Sequence, residues 1–180
     1  MNRRLTAIIN QLSALSRSRR YWALAMVTGM ALLGTALFFQ HVLGERPCLM
    51  CIQVRLWVLL LVVVSFMGLL TRRHRLLNTV PHLLMILVAV GLVERSYQLL
   101  GTERGFVFSD CGFELGLPAW FAIDQWLPAV FYVETACGYT PEIIFGITMA
   151  EALMVFSVGL LVVTVTVFLA SFFRPGDAFH

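Results

Sequence analysis

Four cysteines, Cys48, Cys51, Cys111 and Cys137, are the residues of this chain best suited to do chemistry. Two of them form a Cys-x-x-Cys motif, Cys48-Leu49-Met50-Cys51. Such close spacing allows a small, strained disulfide that is easily reduced and reformed, and pairs of this kind are redox-active more often than structural. Pro47 precedes the motif, as suits a helix entry. A helix starting here sets the positive end of its dipole beside Cys51. Arg55, four residues on, then lies one turn deeper on the same face. Both effects favour a thiolate at Cys51.

Cys111 and Cys137 are well separated in sequence, so spacing leaves their role open. They form either a structural staple that closes a loop or a mobile disulfide that trades electrons with a partner and with the first pair. Four cysteines allow about three full pairings. A four-cysteine zinc site is the weakest reading, because the second pair lacks close ligand spacing.

The elements that must position these residues are apolar. Of 180 residues, 59% are hydrophobic and only 13% are charged. Mean hydropathy is +0.85. A soluble domain is about 45–50% apolar, so the natural solvent for this chain is a lipid bilayer. Four apolar runs are long enough to cross one as helices, for which roughly 20 residues are needed. They cover about 21–43, 52–71, 76–94 and 143–173. Continuous rather than alternating apolar runs, and too few of them to close a barrel, exclude strands. The first run is too long for a signal peptide and no small-residue cleavage site follows it, so it is expected to stay in the membrane. The fold expected is an all-α, four-helix transmembrane bundle forming a single membrane domain over 1–180. Nothing in this pattern calls for a nucleic-acid partner.

Arginine placement gives the orientation. All 13 basic residues are Arg. Arg3, Arg4, Arg17, Arg19 and Arg20 precede the first run, Arg72, Arg73 and Arg75 lie between the second and third, and Arg174 follows the fourth. Residues 1–20, 72–75 and 174–180 are therefore expected in the cytoplasm. Loops 44–51 and 95–142, which hold every cysteine, face the other side. In a bacterium that side is the periplasm, where disulfides form. Within the long loop, Leu117-Pro118-Ala119-Trp120-Phe121 and Trp126-Leu127-Pro128-Ala129-Val130-Phe131 are aromatic and broken by proline. Part of 117–133 is read either as a short interfacial helix on the outer membrane face or as a loop packed on the bundle.

Arg55 needs a reason to sit in a spanning segment. It either snorkels to the headgroups or holds the polar oxygen of a quinone against Cys51. Glu151 is the one acid in the interior of a spanning run. It is read as an interfacial acid facing water, with proton delivery as the alternative. His41 is read as an interfacial side chain.

Four spans, Pro47-Cys48-Leu49-Met50-Cys51-Ile52-Gln53-Val54-Arg55, and a long outer loop with two more cysteines resemble the DsbB family, the disulfide bond formation proteins of bacterial inner membranes. The resemblance extends to Asp110-Cys111-Gly112-Phe113, Pro118-Ala119-Trp120, Trp126-Leu127-Pro128-Ala129-Val130-Phe131 and Cys137-Gly138, and covers nearly the whole chain from about residue 20. It implies a quinone-dependent protein thiol oxidoreductase of the bacterial inner membrane. Cys111 and Cys137 match the pair that oxidises a DsbA-like periplasmic partner, with Cys111 forming the mixed disulfide. Cys48 and Cys51 match the pair that reoxidises the loop pair, Cys48 exchanging with Cys137. The resemblance puts Cys51 in charge-transfer contact with the quinone, ubiquinone or menaquinone, and Arg55 among the residues that bind it.

There are departures, one being that Gly138-Tyr139-Thr140-Pro141-Glu142 after Cys137 lacks the aromatic-rich acidic pattern of some members. The family often carries a histidine near the outer end of the third helix, where this chain reads Val93-Glu94-Arg95-Ser96-Tyr97-Gln98. Either Arg95 stands in for it or the quinone is held differently. The alternatives are a specialised paralogue serving a dedicated partner, and a non-catalytic membrane protein stapled by its disulfides.

Overall fold

The computed structural model describes residues 11–16, 18–72, 75–107, 123–135, 142–144 and 146–172. Cys111, Cys137 and the Leu117–Phe121 stretch lie outside the described residues. A short helical stretch over residues 11–16 leads into α1 (Arg19–His41). It is followed by α2 (Leu49–Thr71), α3 (Arg75–Arg104), the one-turn helices α4 (Ile123–Trp126) and α5 (Pro128–Phe131), and α6 (Met149–Phe172). A two-stranded antiparallel hairpin, β1 (Glu142–Ile144) and β2 (Ile147–Thr148), precedes α6.

Four of these helices, α1, α2, α3 and α6, are long and apolar enough to cross a membrane. The chain is an all-α multi-pass membrane bundle, as its composition implies. α1 packs along α2, α2 along α3, and α3 along α6, whereas α1 and α6 share no comparable seam among the described residues.

In lipid the outside of a helix is as apolar as its inside, so packing rather than water exclusion holds the bundle together. Leu24, Val27, Leu60, Leu87, Val155 and Val162 point outward, while Trp22, Leu61, Met85, Leu92 and Val167 fill the centre. Glycines make room for large rings inside the bundle. A Cβ on Gly68 would overlap the Trp22 ring, and one on Gly91 the Trp57 ring. Hydroxyls inside the bundle satisfy themselves locally: Ser65 donates to the Leu61 carbonyl and Ser96 to the Leu92 carbonyl, both at 2.6 Å.

Two boundaries differ most from the sequence reading. The third helix does not stop at 94 but continues to Arg104, because hydropathy marks where the apolar stretch ends and not where the hydrogen-bonded helix ends. The fourth begins at Met149 rather than 143. Glu142 pairs with Thr148 and Ile144 with Ile147, with Gly146 at φ 78 in the turn, a left-handed conformation that favours glycine. Thr148 then starts α6 through a reciprocal cap. Its hydroxyl accepts from the Glu151 N–H, and Glu151 accepts from the Thr148 N–H, both at 3.3 Å.

The described part of the loop between α3 and α6 packs on the bundle and presents an apolar face at the same time. Ile123, Phe131 and Val133 bury against Leu49 and Ile52, while Trp126, Leu127 and Tyr132 stay exposed. Pro128 opens α5 at its first position, where its missing N–H costs nothing.

Candidate functional site

Cys48 is the N-cap of α2, with extended backbone at φ −85 and ψ 167. Its Sγ accepts from the Cys51 backbone N–H at 3.4 Å and lies 2.7 Å from Cys51 Sγ. Both are free thiols here. Cys48 is buried and Cys51 half-buried. The Cys51 thiol bonded to it, aided by the backbone amides of the first turn and opposed by burial, lowers the Cys48 pKa to about 7. The backbone amides of the first turn thus act on Cys48, the capping residue, as well as on the position one turn further in.

Arg55 is buried, 6% exposed, so it does not snorkel to the surface. Nη1 donates to Gln40 Oε1 at 2.6 Å and to the Val130 carbonyl at 2.8 Å, and Nη2 donates to the Ala36 carbonyl at 3.2 Å. These bonds occupy three of the five guanidinium N–H groups. All three acceptors are neutral, so the charge is solvated by fixed dipoles rather than quenched by a carboxylate. Gln40 in turn donates to Glu134 Oε1 at 3.3 Å.

A second tie joins the loop to the motif. Cys48 pairs with Thr135 in a parallel backbone bridge, and the Glu134 N–H donates to the Pro47 carbonyl at 3.0 Å. His41 meets the Ala129 carbonyl at 3.0 Å, fixing the end of α1 to α5.

Between α1, α2 and α6 lies a cavity of about 190 Å³. Leu32, Phe39, Val58, Leu99, Leu153 and Phe156 give it apolar walls, while Cys51, Arg55 and Gln40 supply polar groups, with Glu45 and Arg46 also in its lining. A mostly apolar cavity with a few convergent polar groups is the usual form of a small-molecule site. The donor set therefore fits a quinone ring.

The structure brings Cys48, Cys51 and Arg55 together. It does not bring Arg95 to them. Arg95 donates to Gln53 and Gln98, both at 3.0 Å, and does not line the cavity; Leu99 represents α3 there. Glu151 pairs with Arg104 besides capping α6, so its carboxylate is accounted for without proton delivery.

Sequence reasoning misses Gln40, Val130, Glu134 and Thr135. Gln40 carries one usable signal, an amide in the last turn of an otherwise apolar helix. Val130 acts through its carbonyl, which leaves no mark in a sequence.

Comparison with known proteins bears on the same residues. A family model described as "Disulfide bond formation protein DsbB" matches residues 18–167. The chain is 33% identical over 135 residues to "Disulfide bond formation protein B 2" of Pseudomonas aeruginosa, covering 74% of this chain and 80% of the relative. It is 33% identical over 148 residues to "Disulfide bond formation protein B" of Shewanella loihica, covering 82% and 86%. A protein of the same description from Yersinia pestis is 30% identical over 169 residues, covering 91% and 93%.

Proposed function

The chain belongs to the DsbB family of disulfide bond formation proteins, and from that premise we propose that it oxidises a DsbA-like periplasmic dithiol and passes the electrons to a membrane quinone. Cys48, Cys51, Cys111 and Cys137 are the redox residues of this reading, and Arg55 is the acceptor-binding residue. The observation that carries it is the place of Cys51 in the cavity wall beside Arg55, with Cys48 at 2.7 Å.

Electrons move by thiol–disulfide exchange. A partner thiolate attacks Cys111 of the Cys111–Cys137 disulfide, and the partner's second thiol releases Cys111 and leaves with the new disulfide. Cys137 then attacks Cys48 of the Cys48–Cys51 disulfide and frees Cys51. Cys111 attacks Cys137 in turn, closing the loop disulfide and freeing Cys48. The Cys48–Cys51 dithiol now holds two electrons and two protons in place of the partner's pair. A bound quinone, ubiquinone or menaquinone, supplies the two-electron, two-proton acceptor that returns this pair to the disulfide.

The chain's own residues support each stage. Cys137 follows Thr135 by two residues, and Thr135 is paired with Cys48. Two residues of chain span at most about 7 Å, a tether short enough to permit the Cα approach of about 4.4–6.8 Å to Cys48 that a disulfide requires. The lowered pKa of Cys48 makes it a good leaving group when Cys111 displaces it from Cys137. Arg55 holds a positive charge at the wall where negative charge develops during reduction. A DsbA-like partner is itself a strong oxidant at about −120 mV, so only a more oxidising acceptor pulls the relay forward.

The arginine bias favours both termini in the cytoplasm and the cysteines in the periplasm of a bacterial inner membrane. Purified protein, a reduced DsbA-like partner and a quinone test the reading. Partner thiols and quinone should disappear together, and Cys51→Ala should stop both. Oxidation of the partner without quinone loss, or its survival in Cys51→Ala, overturns the relay.

A further inference from the structure

Gln40 stands between the Arg55 guanidinium and an exposed carboxylate on the outer loop. Its Oε1 accepts from Arg55 Nη1 at 2.6 Å, and its Nε2 donates to Glu134 Oε1 at 3.3 Å. An ionised carboxylate only accepts hydrogen bonds and a guanidinium only donates them. Glu134 therefore demands the NH₂ side of the amide and leaves the carbonyl side for Arg55. Without Glu134 that end of the amide loses its constraint, and a turned amide would set donors against donors.

Both Gln40 and Arg55 line the cavity. Arg55 also grips the Val130 carbonyl, four residues before Glu134 on the same loop segment. The loop thus contacts the guanidinium twice, directly through a carbonyl and indirectly through an amide.

We propose that Glu134 is a positioning residue for the acceptor pocket: it fixes the Gln40 amide, and through it the seat of the Arg55 guanidinium, so that the loop leading to Cys137 sets the geometry of the quinone site. This rests on the quinone-dependent reading above. Glu134 touches neither the acceptor nor the reacting sulfurs, and its effect runs through Gln40. Displacement of the loop during disulfide exchange then loosens Arg55, and the pocket is best formed when the loop is docked.

Equilibrium binding tests this without turnover. Oxidised full-length protein in detergent is titrated with decylubiquinone, and binding is followed by quenching of tryptophan fluorescence. Glu134→Ala should raise the Kd about three- to tenfold, the span of one lost hydrogen bond. Glu134→Gln, which keeps an acceptor, should fall between the native protein and Glu134→Ala. The double variant Gln40→Ala/Glu134→Ala should bind no more weakly than Gln40→Ala alone, because the two act as one unit. In steady state the quinone KM should rise in Glu134→Ala while kcat and the partner KM stay within about twofold.

An unchanged Kd in Glu134→Ala, or effects of the two substitutions that multiply, overturns the positioning role. A rise in the partner KM alone also overturns it, by assigning Glu134 to the partner's docking face. Native protein that binds no quinone would instead sink the quinone reading itself, and the positioning claim with it.

Discussion

The backbones of Cys48 and Thr135 run side by side as a parallel bridge, which holds the segment leading to Cys137 against the Cys48–Cys51 motif. The companion bond, Glu134 N–H to the Pro47 carbonyl at 3.0 Å, can be removed by a single substitution that leaves every cysteine in place. Glu134→Pro deletes that donor. Exchange between the two cysteine pairs should slow about tenfold, since docking supplies the local concentration of the attacking thiol. Acid-quenched trapping of the disulfide linking the pairs measures it.

Arg55 should be needed for its fork as well as its charge. Arg55→Lys keeps a cation but cannot serve Gln40, Val130 and Ala36 together. The quinone KM should rise about tenfold, while Arg55→Ala should also lower stability by about 1–3 kcal/mol through the acceptors left unpaired. Steady-state kinetics at varied quinone and denaturation in detergent give the two numbers.

The pKa of Cys48 gives a pH dependence. In the reduced pair the hydrogen bond from Cys51 lowers it to about 7, so the thiol is mostly protonated below that pH and mostly thiolate above it. Ultraviolet thiolate absorbance of a Cys111→Ala/Cys137→Ala variant should show a transition centred near neutrality. Cys51→Ala removes the first cause of the shift, and the midpoint should move up toward that of an ordinary thiol, about 8.5.

Glu151→Gln should leave kcat within about twofold, because its carboxylate is occupied by Arg104 and by the cap of α6 and an ion pair this exposed contributes roughly 0–1 kcal/mol. A kcat collapse with a shifted pH profile would restore a proton-delivery role.

Gly68→Val places side-chain atoms where the Trp22 ring already stands. Overpacking of this kind costs about 1–3 kcal/mol. Thermal unfolding in detergent should report it while Cys48–Cys51 chemistry survives in the folded fraction.

The parts of this molecule that are legible in the sequence are local. Cys48, Cys51 and Arg55 sit within two helical turns, so their spacing alone sets them near one another on α2. The four apolar runs announce themselves by length. What escapes is tertiary or carried by backbone: the Val130 carbonyl on Arg55, the Thr135 bridge to Cys48, and Glu134 reaching Gln40 across the loop. Hydropathy misplaces the start of α6 because Ile143 and Ile144 are as apolar in a strand as in a helix. The signal that corrects it, Thr148 followed by Glu151 as a capping pair, is present in the sequence but outweighed by the apolar run around it. Arg95 is drawn toward the site by analogy of position, whereas its bonds to Gln53 and Gln98 turn it to another face.

The lack of a close seam between α1 and α6 among the described residues has a kinetic consequence. A cavity bounded by two helices without a close seam offers a ligand dissolved in the hydrocarbon layer a sideways route, besides the polar end at Glu45 and Arg46. Its occupancy then follows the mole fraction of ligand in the lipid rather than the bulk molarity. Diluting the protein with empty vesicles should slow turnover at constant total quinone, and adding buffer should not.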